Sequence, residues 1–116
     1  MINRRTSSTL AAVVALFLFA LMCMAENPAT RTLEGQVMKS SEQPLPGAVV
    51  YLKNTRTMTM RTYISDDKGN YRFTSLSPNI DYVVYAEYKG SKSDTKTLSS
   101  FDSRETARIN LKVNTQ

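Results

Sequence analysis

Apolar and polar residues alternate along most of the chain between residues 32 and 113, and this pattern predicts short β-strands. Successive side chains of a strand point to opposite faces of a sheet, so alternation gives each strand one apolar face. Turn-forming glycine, proline, asparagine and aspartate residues separate the alternating segments. The predicted strands are residues 32–39, 48–54, 57–65, 71–74, 81–88, an edge strand near 95–98, and 106–113.

The apolar faces of these strands define a predicted core. Residues 81–88 are apolar on both faces, which indicates a central strand. Leu76 is expected to close the core after the fourth strand, and Phe101 is expected to anchor the loop that follows the edge strand. The side chains predicted to face inward are Leu33, Val37, Ala48, Val50, Leu52, Ile64, Tyr71, Phe73, Leu76, Tyr82, Val84, Ala86, Ile109 and Leu111.

Residues 65–73, with the sequence S-D-D-K-G-N-Y-R-F, predict a tight turn followed by a strand. Aspartate and asparagine favour turns, and Gly69 can adopt the positive φ that a hairpin turn needs. Tyr71 and Phe73 then alternate with Arg72, so both rings point to the same face. About seven short strands at this spacing, without a helix after the first 25 residues, predict an all-β fold, an antiparallel seven-stranded β-sandwich.

Residues 1–25 have the features of a secretory signal peptide, expected as an N-terminal helix ahead of the domain. Arg4 and Arg5 form a basic start, an apolar run follows, and small residues place a cleavage site after Ala25. The apolar run is shorter than the roughly 20 residues of a membrane-spanning helix, and a retained anchor is the alternative. We therefore expect a secreted or periplasmic, cell-envelope location, with residues 26–31 as a flexible lead-in.

Charge and composition exclude several classes of function. Residues 26–116 carry 13 basic and ten acidic side chains, a net charge of about +3 without a basic run, so nucleic-acid binding is not predicted. The chain has no histidine, the commonest general base and metal ligand. Its single cysteine, Cys23, lies in the predicted signal, so the domain is expected to hold together by sheet packing without a disulfide.

Three motifs resemble the carboxypeptidase regulatory-like domain family. They are G-x-V at Gly35 and Val37, P-L-P-G-A-x-V-x-L over residues 44–52, and S-D-D-K-G-N-Y-R-F over residues 65–73. The resemblance covers most of residues 32–90, and the predicted domain is residues 32–114. Residues 91–103 depart from the pattern, which leaves the order of residues 91–104 open.

The resemblance implies a transthyretin-like or prealbumin-like seven-stranded β-sandwich, a fold that is also grouped with carbohydrate-binding-like domains. In this family the domain is usually an accessory module beside a metallopeptidase or an outer-membrane receptor. The family has no catalytic residues of its own, so the resemblance implies none in this chain.

Acidic and amide side chains in the central turn raise the question of a metal site. Asp66, Asp67 and Asn70 are closely spaced oxygen ligands of the kind that calcium prefers, but Lys68 lies among them and the calcium-loop pattern is absent. A turn stabilised by these side chains is therefore favoured. Other carboxylates and lysines are scattered, so no catalytic, metal or cofactor site and no enzymatic activity are predicted.

Four tyrosines, Tyr51, Tyr63, Tyr85 and Tyr88, are predicted at outward positions, where they form a candidate ligand or partner face. Aromatic rings on a sheet face stack on sugars or anchor a protein partner, although tyrosine also pairs across strands without any ligand. We expect an exported, non-catalytic module that binds or scaffolds an envelope protein. The alternatives are a carbohydrate-binding module that uses these tyrosines and an accessory domain of a peptidase. Membrane contact is expected only through an uncleaved signal.

Overall fold

The computed structural model describes residues 29–115, and all regular secondary structure in that range is β-strand, as predicted. The predicted signal peptide and its helix lie outside the described residues. No helix within residues 29–115 is long and apolar enough to cross a membrane. The strands are β1 (Arg31–Lys39), β2 (Val49–Asn54), β3 (Met60–Ile64), β4 (Asn70–Leu76), β5 (Tyr82–Tyr88), β6 (Ser91–Lys92), β7 (Lys96–Leu98), β8 (Thr106–Arg108) and β9 (Leu111–Val113).

Two sheets pack into a sandwich around one core. In the first sheet β4 lies beside β1, and β8 and β9 both lie along the other side of β1. In the second sheet the order is β3-β2-β5, and β6 and β7 both lie along the far side of β5. The strand β5 is therefore central, as its two apolar faces predict.

Two pairings correct the prediction of a purely antiparallel sandwich. The strands β8 and β9 run parallel to β1, with Thr106 opposite Thr32 and Leu111 opposite Val37. Hairpins make consecutive strands antiparallel, but the chain reaches β8 from β7 in the other sheet, so no hairpin joins β8 to β1.

The described residues form nine strands rather than the predicted seven because two edge strands are interrupted. Between β6 and β7, the Ser93 hydroxyl accepts a hydrogen bond of 2.8 Å from the backbone N–H of Ala86. Between β8 and β9, the side-chain oxygen of Asn110 accepts one of 3.0 Å from the backbone N–H of Gln36. Side chains thus replace missing backbone partners, and the alternation of apolar residues continues across the second break.

The core contains twelve of the fourteen predicted side chains. Ile109 is only partly buried, and Leu45, Leu98, Ala107 and Val113 are buried although they were not predicted. Ile64 is 66% exposed, which corrects its predicted place in the core. The core side chains that agree with the prediction are Leu33, Val37, Ala48, Val50, Leu52, Tyr71, Phe73, Leu76, Tyr82, Val84, Ala86 and Leu111.

The loop between β7 and β8 is anchored by Arg31 rather than by Phe101. Phe101 is 95% exposed, so its predicted role as an anchor is wrong. Arg31, expected in the flexible lead-in, begins β1 and is 3% exposed. Its guanidinium donates hydrogen bonds to the carbonyl oxygens of Ser77, Ile80, Ser99 and Asp102, at 2.7–3.2 Å. One side chain therefore ties together the β4–β5 and β7–β8 loops.

Gly35 lies where β1 passes the break between β8 and β9. A Cβ atom at this position would overlap the backbone carbonyl oxygen of Ile109. The hydroxyl of Tyr71 donates a hydrogen bond of 2.5 Å to the same oxygen. The close approach of the two strands therefore requires glycine, and Tyr71 satisfies the carbonyl that the break leaves without a strand partner.

Candidate binding face

The second sheet presents its outer surface away from the core, and we call the outward side chains of β2, β3 and β5 together with Lys92 the outer tyrosine face. Directly paired residues of antiparallel strands project to the same side of a sheet. Val50 and Leu52 are buried, so the residues that alternate with them point outward. The outward rows across β3, β2 and β5 are Ile64–Val49–Glu87, Thr62–Tyr51–Tyr85 and Met60–Lys53–Val83.

Two of the predicted tyrosines meet at the centre of this face. Tyr51 and Tyr85 are opposite each other on β2 and β5, and their rings stack with centroids 5.0 Å apart and planes inclined by 21°. The ammonium group of Lys92, on the strand at the other side of β5, lies 4.1 Å from the centroid of the Tyr85 ring. The ring of Tyr85 is therefore held between a second ring and a cation.

The other two predicted tyrosines do not belong to this face, which corrects the expectation of four outward rings. Tyr63 is opposite the buried Val50, and its ring stands edge-on to that of Phe73, with centroids 6.1 Å apart. Tyr88 continues the inward series of β5 and packs against the core. The prediction placed β3 one residue out of phase, because both alternating sets of that strand contain large apolar residues.

Apolar side chains extend the outer tyrosine face toward the edge of the sheet. Met60 is 47% exposed, and Ile64, four residues further along the same strand, is more exposed still. Of the two, Ile64 was predicted to face the core. The charged members of the face, Lys53, Glu87 and Lys92, bring both signs of charge to its border. The arrangement is an aromatic and aliphatic surface with a charged margin.

The turn between β3 and β4 is stabilised by Asp66, as the favoured interpretation predicts. One carboxylate oxygen of Asp66 accepts hydrogen bonds of 2.9 Å from the backbone N–H groups of Lys68 and Asn70. Gly69 has φ +77°, and its carbonyl accepts a bond of 2.7 Å from the N–H of Val37. Among residues 29–115 no three His, Cys, Asp or Glu side chains converge as a metal site would require.

A polar cleft of about 330 Å³ lies over the first sheet, lined in part by Glu34, Tyr71 and Arg108. Burial raises the pKa of Tyr71, and the nearby positive charge of Arg108 opposes this only in part. Its hydroxyl is already bonded to the Ile109 carbonyl, so the perturbed group stabilises the fold and is not poised for proton transfer.

One ion pair stabilises the loop that Arg31 holds. The guanidinium of Arg104 lies 2.7 Å from the carboxylate of Asp102, and its hydrogen bonds lower the pKa of Asp102 to about 2. Arg31 was not among the residues predicted to face inward. The alternation of β1 already places Arg31 on the inward face, because Arg31 precedes Leu33, Gly35 and Val37 at intervals of two residues.

A family model described as the carboxypeptidase regulatory-like domain matches residues 32–114. The chain therefore belongs to the carboxypeptidase regulatory-like domain family. The match begins one residue after the start of β1 and ends one residue after β9, so the carboxypeptidase regulatory-like domain is the whole sandwich. A domain of this family is a non-catalytic module.

Solved structures share the fold of this carboxypeptidase regulatory-like domain at low sequence identity. BcpA, the major pilin subunit of Bacillus cereus, is 18% identical with a TM-score of 0.57, and the match covers 75% of this chain and 30% of the pilin. Catechol 1,2-dioxygenase from Acinetobacter sp. ADP1 is 14% identical with a TM-score of 0.58, over 76% of this chain and 53% of the enzyme.

A third similar structure is the dioxygenase domain of a dioxygenase carbohydrate-binding protein fusion from Streptomyces sp. SirexAA-E. It is 12% identical with a TM-score of 0.56, and the match covers 78% of this chain and 82% of that domain. The chain thus spans about a third of the pilin and half of the Acinetobacter enzyme, and these likenesses concern the fold alone. A comparison with curated protein sequences gives no significant match.

Proposed function

We propose that this chain is an exported, non-catalytic β-sandwich module that binds a protein partner in the cell envelope through the outer tyrosine face. The observation that carries the proposal is the stacked, half-buried pair Tyr51–Tyr85 at the centre of the outer tyrosine face. Aromatic residues and methionine are enriched in the centres of protein interfaces, and charged residues are concentrated at their rims. The outer tyrosine face has this composition.

The geometry favours a protein over a sugar. A sugar ring stacks on an aromatic face, but Tyr51 covers one side of the Tyr85 ring and Lys92 lies over it from the opposite neighbouring strand. Stacking on Tyr85 would require the ammonium of Lys92 to leave the ring, with the loss of a cation–π contact. A protein partner can instead pack against the ring edges and the flanking Met60 and Ile64.

The absence of an activity is part of the proposal and rests on the side chains available. The chain has no histidine, and the described residues hold no convergent set of three potential metal ligands. The buried hydroxyl of Tyr71 already donates its hydrogen bond to a backbone carbonyl. Among residues 29–115 no serine, threonine or tyrosine hydroxyl hydrogen-bonds a carboxylate or lysine side chain, as the nucleophile and base of a hydrolytic site would.

Retention from envelope extract tests the binding face. The protein purified from cells that express and process the full chain is immobilised beside the double variant Tyr51→Ala/Tyr85→Ala and the control Phe101→Ala. The control removes an exposed ring from the β7–β8 loop. We expect one protein to be retained by the wild type and the control and lost by the double variant.

Two other results would contradict this proposal, and a third would assign the protein partner to the peptidase alternative. A partner that the double variant still retains would place the site elsewhere on the chain. Retention on an insoluble polysaccharide that Tyr51→Ala or Tyr85→Ala abolishes would support the carbohydrate-binding alternative. A peptidase whose activity changes on addition of the purified domain would support an accessory role.

Export is tested separately by cell fractionation and N-terminal sequencing. The basic start at Arg4 and Arg5 and the apolar run that follows support export. We expect the protein in the envelope or secreted fraction with Glu26 as its first residue. Cytosolic protein that retains Met1 would contradict export while leaving the binding face to its own test.

A further inference from the structure

The strand β3 ends the second sheet with an unpaired backbone edge. In the β2–β3 ladder the N–H of Asn54 bonds the carbonyl of Thr59, and the N–H of Ser65 bonds the carbonyl of Ala48. Since hydrogen-bonded pairs alternate along an antiparallel ladder, the backbone groups of every second residue between them point away from β2. These residues are Met60, Thr62 and Ile64, and none of their backbone groups has another partner among residues 29–115.

Exposed apolar side chains are concentrated at the same edge. The described part of the chain strongly exposes five large apolar side chains, and four of them lie between residues 58 and 64. Those four are Met58, Met60, Tyr63 and Ile64, with exposed fractions of 60%, 47%, 40% and 66%. All five residues of β3 are exposed. The unpaired backbone and the apolar surface therefore coincide.

The other sheet edges in the described part carry features that discourage pairing, and β3 does not. Natural edge strands are protected by lysine, proline, bulges or interruptions. The edges formed by β6–β7 and by β8–β9 are interrupted and carry Lys96 and Lys112, and the pairing of β4 with β1 contains a register shift. The strand β3 is uninterrupted. Its one charge, Arg61, turns inward to bond the carbonyl of Thr74 at 2.9 Å.

We propose that β3 pairs antiparallel with β3 of a second copy of this chain, with Thr62 on the two-fold axis. In this register Thr62 is opposite Thr62 of the second copy, and Met60 is opposite Ile64. Each of these pairs exchanges two N–H···O hydrogen bonds. Apolar side chains meet apolar side chains on the outer face, and Arg61 meets Tyr63 on the other face, where cation and ring attract.

The composition of β3 selects this register over its neighbours. A shift that centres the axis on Arg61 would bring two arginines directly opposite each other, which destabilises a strand pair. The same shift would leave Ile64 without a partner. Only the axis through Thr62 pairs all three residues whose backbone groups point outward. The edge is thus complementary to itself, as the two-fold symmetric interface of a homodimer must be.

This assembly goes beyond the proposed partner site. The two second sheets would merge through β3, and a two-fold axis perpendicular to the sheet would leave both outer tyrosine faces on the same side. The module would then present two stacked tyrosine pairs to its surroundings. The dimer edge shares Met60, Thr62 and Ile64 with the outer tyrosine face, but Tyr51 and Tyr85 do not lie on β3, so their substitution tests partner binding without altering that edge.

Sedimentation across a concentration series tests the dimer on protein purified from cells that express the full chain. Thr62→Pro removes only an N–H that points away from β2, so the fold is expected to survive and the dimer to be lost. Thr95→Pro, between β6 and β7 at the opposite edge of the sheet, is the matched control and should remain dimeric. Circular dichroism and thermal unfolding establish that both variants are folded.

A charge exchange tests the register. Because Thr62 of one copy is opposite Thr62 of the other, Thr62→Lys alone and Thr62→Glu alone would each bring two like charges together and should weaken the dimer several-fold. An equal mixture of the two variants pairs opposite charges and should restore the dimer as a heterodimer. A wild type that is monomeric throughout the series would overturn the proposal. A dimer that persists in Thr62→Pro, or a mixture that does not recover, would also overturn it.

Discussion

The hydroxyl of Tyr71 donates a hydrogen bond of 2.5 Å to the backbone carbonyl of Ile109, at the point where the last edge strand is interrupted. The two residues are 38 positions apart in the chain. Gly35 leaves the space in which that carbonyl approaches β1. This contact links β4 to the last strands of the domain. Only the neutral form of Tyr71 has the hydroxyl proton that the hydrogen bond requires.

Tyr71→Phe should remove this hydrogen bond and change how stability depends on pH. The loss should cost about 0.5–1.5 kcal/mol at neutral pH. Burial raises the pKa of Tyr71 above that of an unfolded tyrosine, about 10, so its contribution is complete below pH 10 and is lost as pH rises further. The variant should lose less stability than wild type between pH 9 and about 11 in urea unfolding, and equal losses would contradict this.

Arg31→Ala should destabilise the domain far more than Arg61→Ala. Arg31 is buried and satisfies four carbonyl oxygens, whereas Arg61 is exposed and bonds one. Buried acceptors left without a donor cost about 1–3 kcal/mol each, so Arg31→Ala should lower the free energy of unfolding by about 3 kcal/mol or more. Arg61→Ala should cost about 1 kcal/mol. Similar values from urea unfolding would show that the two loops do not depend on Arg31.

Phe73→Ala and Phe101→Ala form a matched pair that tests the assignment of the core. Phe73 is 2% exposed and Phe101 is 95% exposed. Deletion of the buried ring should cost about 3–5 kcal/mol, and deletion of the exposed ring should change stability by less than about 0.5 kcal/mol. Thermal unfolding of the two variants distinguishes them, and a large effect of Phe101→Ala would mean that its loop packs against the domain.

Lys89→Asn should stabilise the hairpin between β5 and β6. Lys89 and Gly90 both have positive φ, 46° and 82°, as a type I′ turn requires, and asparagine tolerates this region better than lysine. After the loss of the contact of Lys89 with the Tyr88 ring, the expected gain is about 0.5 kcal/mol. Lys68→Asn, in a turn where φ is not positive, is the control and should not raise the melting temperature.

The sequence predicted most of the core because alternation is a local property of each strand. It did not predict the phase of β3, since Met60 and Ile64 on one face and Tyr63 on the other are equally plausible core residues. The register with β2, which places Ile64 opposite Val49, decides the phase, and this register depends on contacts distant in sequence. The breaks in the edge strands were not predicted either. At one break the side-chain oxygen of Asn110 accepts the hydrogen bond of the Gln36 N–H, and a contact between residues 74 positions apart leaves no local pattern in the sequence.

Two other differences could have been found from the sequence itself. Every second residue of β5 from Tyr82 faces inward, and this alternation already places Tyr88 on the inward side. The same alternation along β1, through Leu33 and Gly35, places Arg31 on the inward side. The meeting of Tyr51 with Tyr85 was not accessible in this way. It depends on the pairing of β2 with β5, whose register no local pattern specifies.

Site-specific photocrosslinking in cells that express the full chain tests the proposed function most directly. A photoreactive residue replaces Lys53, within the outer tyrosine face, or Arg72, on β4 of the first sheet. We predict one discrete adduct with a second protein in the envelope fraction from position 53, distinguished by mass from a crosslinked pair of this chain, and none from position 72. Adducts of equal yield from both positions, or an adduct from position 72 alone, would contradict the assignment of the outer tyrosine face as the binding surface.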